Sequence, residues 1–342
     1  NPEDAVATLE DLRKQVPDYP VDALAARIYY HTKNPNLNRA AEYYGKVADV
    51  TNMDDEDIKD YATIEWMLGN KDKSIEVAKA GLTKDAKWST LNRLVFWNST
   101  DKNYTDQALD YADRLFNKSD SAKITADDYA YYGTALKQAK RLDEAVDAYN
   151  KSLAALDADA NAIVSKPILF KSLSDVYNEK GDFDKALEFV EKSIDAKENP
   201  SFSDYNGLGS QYLEIATKRQ QAGDAAGAKA AYKKADDTYA KIGDKYPDQA
   251  NYINYVRGSI NSAVDPDSKL GLAKPFYEAL VASLEQKADR TDNQTAMLKT
   301  ALQYMIVYEF NVKKNKAAAK EWAGKMLGVD PTNEIAKQVQ AM

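Results

Sequence analysis

The sequence predicts an all-α chain, an α-solenoid of stacked helical hairpins, on three observations. First, nine small residues recur in one context, in an amphipathic stretch just after a turn: Ala5, Ala40, Ser74, Ala108, Ala145, Ala186, Ala228, Ala273 and Ala319. Their intervals run 35, 34, 34, 37, 41, 42, 45 and 46 residues, and a period near 34 is that of a two-helix repeat. Second, large apolar residues between these landmarks fall three and four apart, the helical period. Third, glycine pairs and single prolines punctuate the stretches where helices must end.

Residues 1–342 read as one array, because a repeat protein grows by adding units and needs no split into globular domains. Residues 1–17, with Ala5, Leu9, Leu12 and Pro17, read as the second helix of a hairpin whose first helix is absent, so upstream repeat sequence is expected. Residues 21–200 form regular repeats. The clearest unit, Asp127 to Asp157, sets Tyr129, Tyr132, Gly133 and Leu136 on one helix and Ala145, Tyr149 and Ser152 on the next. Gly133 and Ala145 let the two backbones approach, and Gly133→Leu should overpack the pair by about 1–3 kcal/mol.

The following copy carries Phe170, Leu173, Ser174 and Tyr177, the turn Gly181-Asp182-Phe183, then Ala186, Val190 and Ser193. Gly181 suits a left-handed helix end and Asp182 the next N-cap. Gly69-Asn70 and Gly223-Asp224 repeat that punctuation, and Pro17, Pro247 and Pro331 stand where a helix stops. Residues 201–331 form longer, degenerate repeats. Residues 332–342 read as an amphipathic capping helix with Ile335 and Val339 inward and Lys337, Gln338 and Gln340 outward.

This pattern resembles the tetratricopeptide repeat over nearly the whole chain. The likeness is specific at 126–158 and 167–200, fair at 57–86 and 299–331, and degenerate at 87–120, where Phe96 replaces a small residue. It implies a right-handed superhelix of about eight to nine hairpins, with the first helix of each lining a concave groove. Residues 265–278 resemble a segment of tetratricopeptide proteins of Bacteroidetes, many of which carry secretion signals. That implies a periplasmic or otherwise extracytoplasmic location.

Composition narrows the function. The chain is 44% apolar and 29% charged, with no stretch of about 18 apolar residues to cross a bilayer, so it reads as soluble. A net charge of −8, with interleaved signs and no basic stripe, argues against nucleic acid. Absence of cysteine removes disulfides, thiol nucleophiles and thiolate metal sites, and is mildly commoner in exported bacterial proteins. Residue 1 is Asn, so the natural start, with any leader, is expected upstream.

Catalytic chemistry finds little support. Gly207-Leu208-Gly209 lacks the strand-turn-helix setting of a phosphate loop and reads as a helix start. His31, the single histidine, falls at a packing position on a first helix. Asp54-Asp55-Glu56-Asp57 precedes an amphipathic helix, where acids cap and oppose its dipole. Asp265 and Asp267 begin like a calcium loop, but Leu270 and Phe276 stand where Gly and an acid are needed. No catalytic group, cofactor or metal site is therefore expected, and the chain reads as no enzyme.

The candidate site is the groove face, assigned one turn from the packing stripe: Tyr29, Trp66, Arg93, Trp97, Lys137, Lys171, Asp175, Asn178, Tyr252, Tyr255, Tyr304 and Tyr308. Aromatic and Arg side chains are the usual interface anchors. The Lys and Asn pattern that grips chaperone C-termini is missing, since Trp97, Ala130 and Tyr131 occupy its places. The expectation is a non-catalytic scaffold holding a peptide or partner protein. The alternative is a small-molecule or glycan receptor in which Trp97 stacks on a ring.

Overall fold

A computed structural model describes residues 1–119 and 122–342. It divides into two compact units, Asn1–Asp182 and Phe183–Met342. The described residues contain helices and turns and no strand.

In the first unit the helices are α1 (Pro2–Gln15), α2 (Val21–Tyr30), α3 (Leu37–Tyr44), α4 (Asp55–Met67), α5 (Lys71–Leu82), α6 (Ser89–Asp101), α7 (Thr105–Asp113, continued by a π turn to Lys118), α8 (Ala126–Gln138), α9 (Leu142–Leu156) and α10 (Lys166–Glu179). Hairpins α2/α3, α4/α5, α6/α7 and α8/α9 follow one another, and the first helices α4, α6, α8 and α10 lie side by side. The second unit holds α11 (Phe183–Asp195), α12 (Phe202–Gln221), α13 (Ala225–Lys245), α14 (Ala250–Val264), α15 (Lys274–Leu284), α16 (Asp292–Val307, followed by a π turn to Val312), α17 (Lys316–Val329) and α18 (Glu334–Ala341). Here α12/α13, α14/α15 and α16/α17 are hairpins, and α18 packs on α17.

The small-residue period has a geometric cause. Ala40, Ser74, Ala108, Ala145, Ala228 and Ala319 are each the fourth residue of a second helix, and each is at most 3% exposed; Ala186 is likewise the fourth residue of α11 and 1% exposed. At that point the second helix crosses close to the first, leaving room for little beyond a Cβ. Ser74 uses the spot further: its Oγ donates to the Ala62 carbonyl at 2.7 Å and accepts from Asn98 Nδ2 at 3.0 Å. Ala273 departs from the register, since it is the N-cap of α15, yet it too is fully buried. Ala5 has the register but is exposed, because α1 packs on α2 through Val6 instead.

The hairpin turns share one design. Gly69, Gly181 and Gly223 have φ near +80°, and the next residue's amide reaches back five residues to close the turn. Asn103, Lys140 and Lys314 adopt the same left-handed conformation at φ of 56–61°; the first two close it over the same five residues, with Tyr104 N donating to Ser99 O and Arg141 N to Leu136 O, whereas after the π turn Asn315 N reaches back six residues to Glu309 O. These three carry no glycine and left no mark in the sequence pattern.

Four expectations are corrected. His31 is the C-cap of α2, with a 60% exposed side chain whose Nε2 meets Asp60 Oδ2 at 2.6 Å, so it is a surface residue rather than a packing one. Gly207 and Gly209 lie inside α12, which starts at Phe202 behind a Ser201/Asp204 capping box. Asp54 is the N-cap of α4 and Asp55, Glu56 and Asp57 fill its first turn, as expected, but no side-chain bond makes the cap; instead Asp54 and Asp57 both take Arg27, at 2.5 Å each, and Asp57 is buried against the Tyr44 hydroxyl. In α18 the inward residues are Ala336 and Val339, while Ile335 is exposed.

Loop 265–273 is organised by Asp265, whose carboxylate accepts the Leu270 and Gly271 amides at 2.9 Å each. That carboxylate is thereby occupied. Among the described residues no group of three or more His, Asp or Glu side chains could hold a metal ion, and no helix is long and apolar enough to cross a membrane.

Candidate functional site

Three of the twelve candidate residues belong to the core. Tyr29, Trp97 and Tyr308 are 3%, 7% and 5% exposed, so they cannot present a face to a partner. Tyr29 stacks on Tyr43 and donates its hydroxyl to Glu3 at 2.7 Å, and burial pushes its phenol up to about 12. Trp97 lies parallel to Tyr131 at 4.8 Å, with Trp66 tilted against it at 5.7 Å. A ring covered in this way has no open face for a sugar. Tyr308 stacks on Tyr304 and lies under Gly271.

Arg93 and Trp97 meet at Asp128, whose carboxylate is fully buried. Arg93 grips both its oxygens at 2.8 Å, and the Trp97 indole N–H donates to Oδ1 at 3.1 Å. A buried charge needs such partners, so this cluster locks α6 to α8. Arg93 is thereby a structural residue as well.

Lys137 lies at the C-terminal end of α8, and Lys171, Asp175 and Asn178 run along α10 from its middle to its C-terminal end. Asp175 lies 3.9 Å from Lys137 and 3.6 Å from Lys171, distances of loose surface pairing, and Asn178 is exposed. In the second unit Tyr252 donates to Asn206 at 2.9 Å, while Tyr255 and Tyr304 are half-buried against the α15 to α17 core.

Between α8 and α10 the structure opens a cleft of about 280 Å³ that the sequence reading missed. Ala130, Tyr131 and Thr134 form one wall, and Ile168, Leu169 and Ser172 the other. Ile163 and Val164 close one end from the loop after α9. That loop is held by Asp127, which is buried and accepts the Ile163 and Val164 amides at 2.8–3.1 Å. Ile163 and Ile168 remain 66% and 55% exposed, a pair of large apolar side chains facing water at a formed pocket.

The floor of the cleft is polar but satisfied. Thr134 Oγ1 and the Tyr149 hydroxyl lie 3.0 Å apart, and burial raises the Tyr149 phenol above its ordinary value, against hydrogen bonds from Thr134 and Ser172. Tyr131 is pushed up to about 12, first by burial and then by the negative charges of Asp101 and Asp127. The signal that could have found this place was the isolated Ile163-Val164 pair in an otherwise polar loop, ahead of Pro167-Ile168.

Within each unit, consecutive hairpins, most with a small fourth residue in the second helix and several with a left-handed turn, define an all-α, tetratricopeptide-like arrangement. No family model matches the chain, and no curated protein does. Similar solved structures include the C-terminal part of a TPR repeat-containing protein from Cytophaga hutchinsonii, at 22% identity over 83% of this chain and 100% of that one, with a TM-score of 0.44. A tetratricopeptide repeat protein from Parabacteroides merdae is 14% identical over 68% of this chain and 85% of its own, with a TM-score of 0.42. PilF of Pseudomonas aeruginosa is 14% identical over 84% and 96%, with a TM-score of 0.35.

Proposed function

We propose that this protein is a non-catalytic interaction scaffold that takes an extended peptide segment of a partner protein along the first-helix face of its N-terminal unit. The observation that carries this reading is the α8/α10 cleft, where Ile163 and Ile168 stand exposed beside a formed pocket. An exposed apolar pair loses hydration cost only when something covers it, and a neighbouring chain is the natural cover. The surrounding surface residues Lys137, Lys171, Asp175 and Asn178 would form the polar rim that interfaces place around an apolar centre. An extracytoplasmic site of action accords with the cysteine-free chain and with the 265–278 segment.

The test is an array of peptides of varied sequence probed with the wild-type protein and with an Ile163→Ser/Ile168→Ser double variant. Both positions are mostly exposed, so the variant should keep its circular dichroism and melting temperature. The reading expects binding to a subset of peptides that the double variant loses. Binding to none, or binding indifferent to the variant, would refute it.

A further inference from the structure

We infer that the α8/α10 cleft selects one type of peptide: an aliphatic side chain of Leu, Ile or Met size followed directly by Lys or Arg. The inference rests on the scaffold reading and adds the chemistry of what the scaffold recognises. Size comes first. A space of about 280 Å³ lies at or below the roughly 300–1,000 Å³ of small-molecule and cofactor sites, and it suits a single large side chain. Its lining includes four large aliphatic residues, Ile163, Val164, Ile168 and Leu169, beside Tyr131 and Tyr149, and the exposed ends of Ile163 and Ile168 at its mouth favour an aliphatic guest.

Charge comes second. The lining carries two carboxylates, Asp101 and Asp127, and no cationic side chain. Asp127 spends its oxygens on the loop amides but keeps its charge. Asp101 meets Lys71 through Oδ2, at 2.7 Å, and stays part-exposed, with about a third of its side chain facing solvent. That carboxylate is placed to take an incoming ammonium or guanidinium. A residue that puts an anion here would meet two carboxylates in the lining, against a single cation, Lys71, already paired with Asp101.

Backbone access comes third. Ala130 sits on the α8 wall between Asp127 and Thr134, and its short side chain leaves the trough open for an extended chain to run between the two helices.

The experiment is an array of peptides in a Gly-Ser frame carrying, at two adjacent central positions, every pairing of aliphatic, aromatic, polar, acidic and basic residues. The best spots are then measured by fluorescence anisotropy. Leu-Lys should bind at least about tenfold tighter than Ser-Lys, the scale on which a hydrophobic pocket discriminates. It should also bind tighter than Leu-Glu by a margin that shrinks as salt rises. Asp101→Asn should narrow the Lys-over-Glu margin while leaving Leu-over-Ser intact, and Ile168→Ser should do the reverse. The exposed Asp147 on α9, changed to Asn, should alter neither. If Leu-Glu binds as tightly as Leu-Lys, or if Asp101→Asn leaves the margin unchanged, this inference is overturned. Other pairs bound in an Ile168-dependent way would overturn it while the scaffold reading stands, whereas silence across the whole array would remove both.

Discussion

Two glycines in α12, one residue apart, should respond to the same substitution with opposite sign. A Cβ built on Gly207 meets nothing within 4 Å, whereas one on Gly209 falls 2.6, 2.9 and 3.2 Å from Cε2, Cζ and Cδ2 of Tyr239. That ring is 1% exposed, and its hydroxyl donates to Asn206 at 3.1 Å, so it has no room to retreat. Alanine gains about 0.5–1 kcal/mol over glycine in a helix interior at either site. At Gly209 an overpacking cost of about 1–3 kcal/mol acts against that gain. Gly207→Ala should therefore stabilise by about 0.5–1 kcal/mol and Gly209→Ala destabilise by about 0.5–2 kcal/mol. Urea unfolding followed by circular dichroism resolves both, and thermal melts should move by about 2–4 °C per kcal/mol for a unit of this length. In a Tyr239→Leu background the Gly209→Ala penalty should vanish, because the clashing ring is gone. A stabilising Gly209→Ala in the wild-type background would refute the close helix approach on which the repeat geometry depends.

Further expectations follow from the same structure. Lys314, held at φ +56°, should gain about 0.5–1 kcal/mol on change to Gly, and Gly69→Ala, at φ +78° with open space around it, should lose about 1 kcal/mol, both read from urea midpoints. Asp128→Ala strands Arg93 and the Trp97 indole, and should cost about 3 kcal/mol with a change in the near-ultraviolet circular dichroism of the Trp97–Tyr131 stack. Asp204 is held below its usual 3.8, first by the hydrogen bond from Lys197, which outweighs the opposing effect of burial, and then by the hydrogen bonds of the Ser201 cap. Its folded pKa is depressed, so its contribution is complete above 3.8 and disappears as pH falls below that value. Asp204→Asn should cost about 1 kcal/mol at neutral pH and progressively less in acid below 3.8, measured as unfolding free energy against pH.

The sequence carried the architecture because its strongest constraint is local. Six landmarks mark the point where the second helix of a hairpin meets the first, and only a small side chain fits there, so the spacing of these residues is a direct record of the packing. The turns at Asn103, Lys140 and Lys314 escaped notice because any residue can take a left-handed φ at a modest cost. The site was harder to read because it depends on contacts between repeats. Trp97 and Arg93 looked like groove residues by helical phase, yet Asp128, in the next repeat, draws both inward. Their burial follows from a carboxylate 31 to 35 positions away, which no helical wheel contains. Ile163 and Ile168 were missed for the opposite reason. They flank a loop whose shape is set by Asp127, and only the folded loop brings them to the same cleft.

The central claim is that the α8/α10 cleft receives a peptide side chain, and isoleucine methyl NMR tests it most directly. With isoleucine methyl groups labelled, titration of a Gly-Ser-framed Leu-Lys peptide should shift the Ile163 and Ile168 signals in a saturable way and leave Ile260 and Ile335 unmoved. An unchanged spectrum, or shifts confined to residues outside the cleft, would contradict the account.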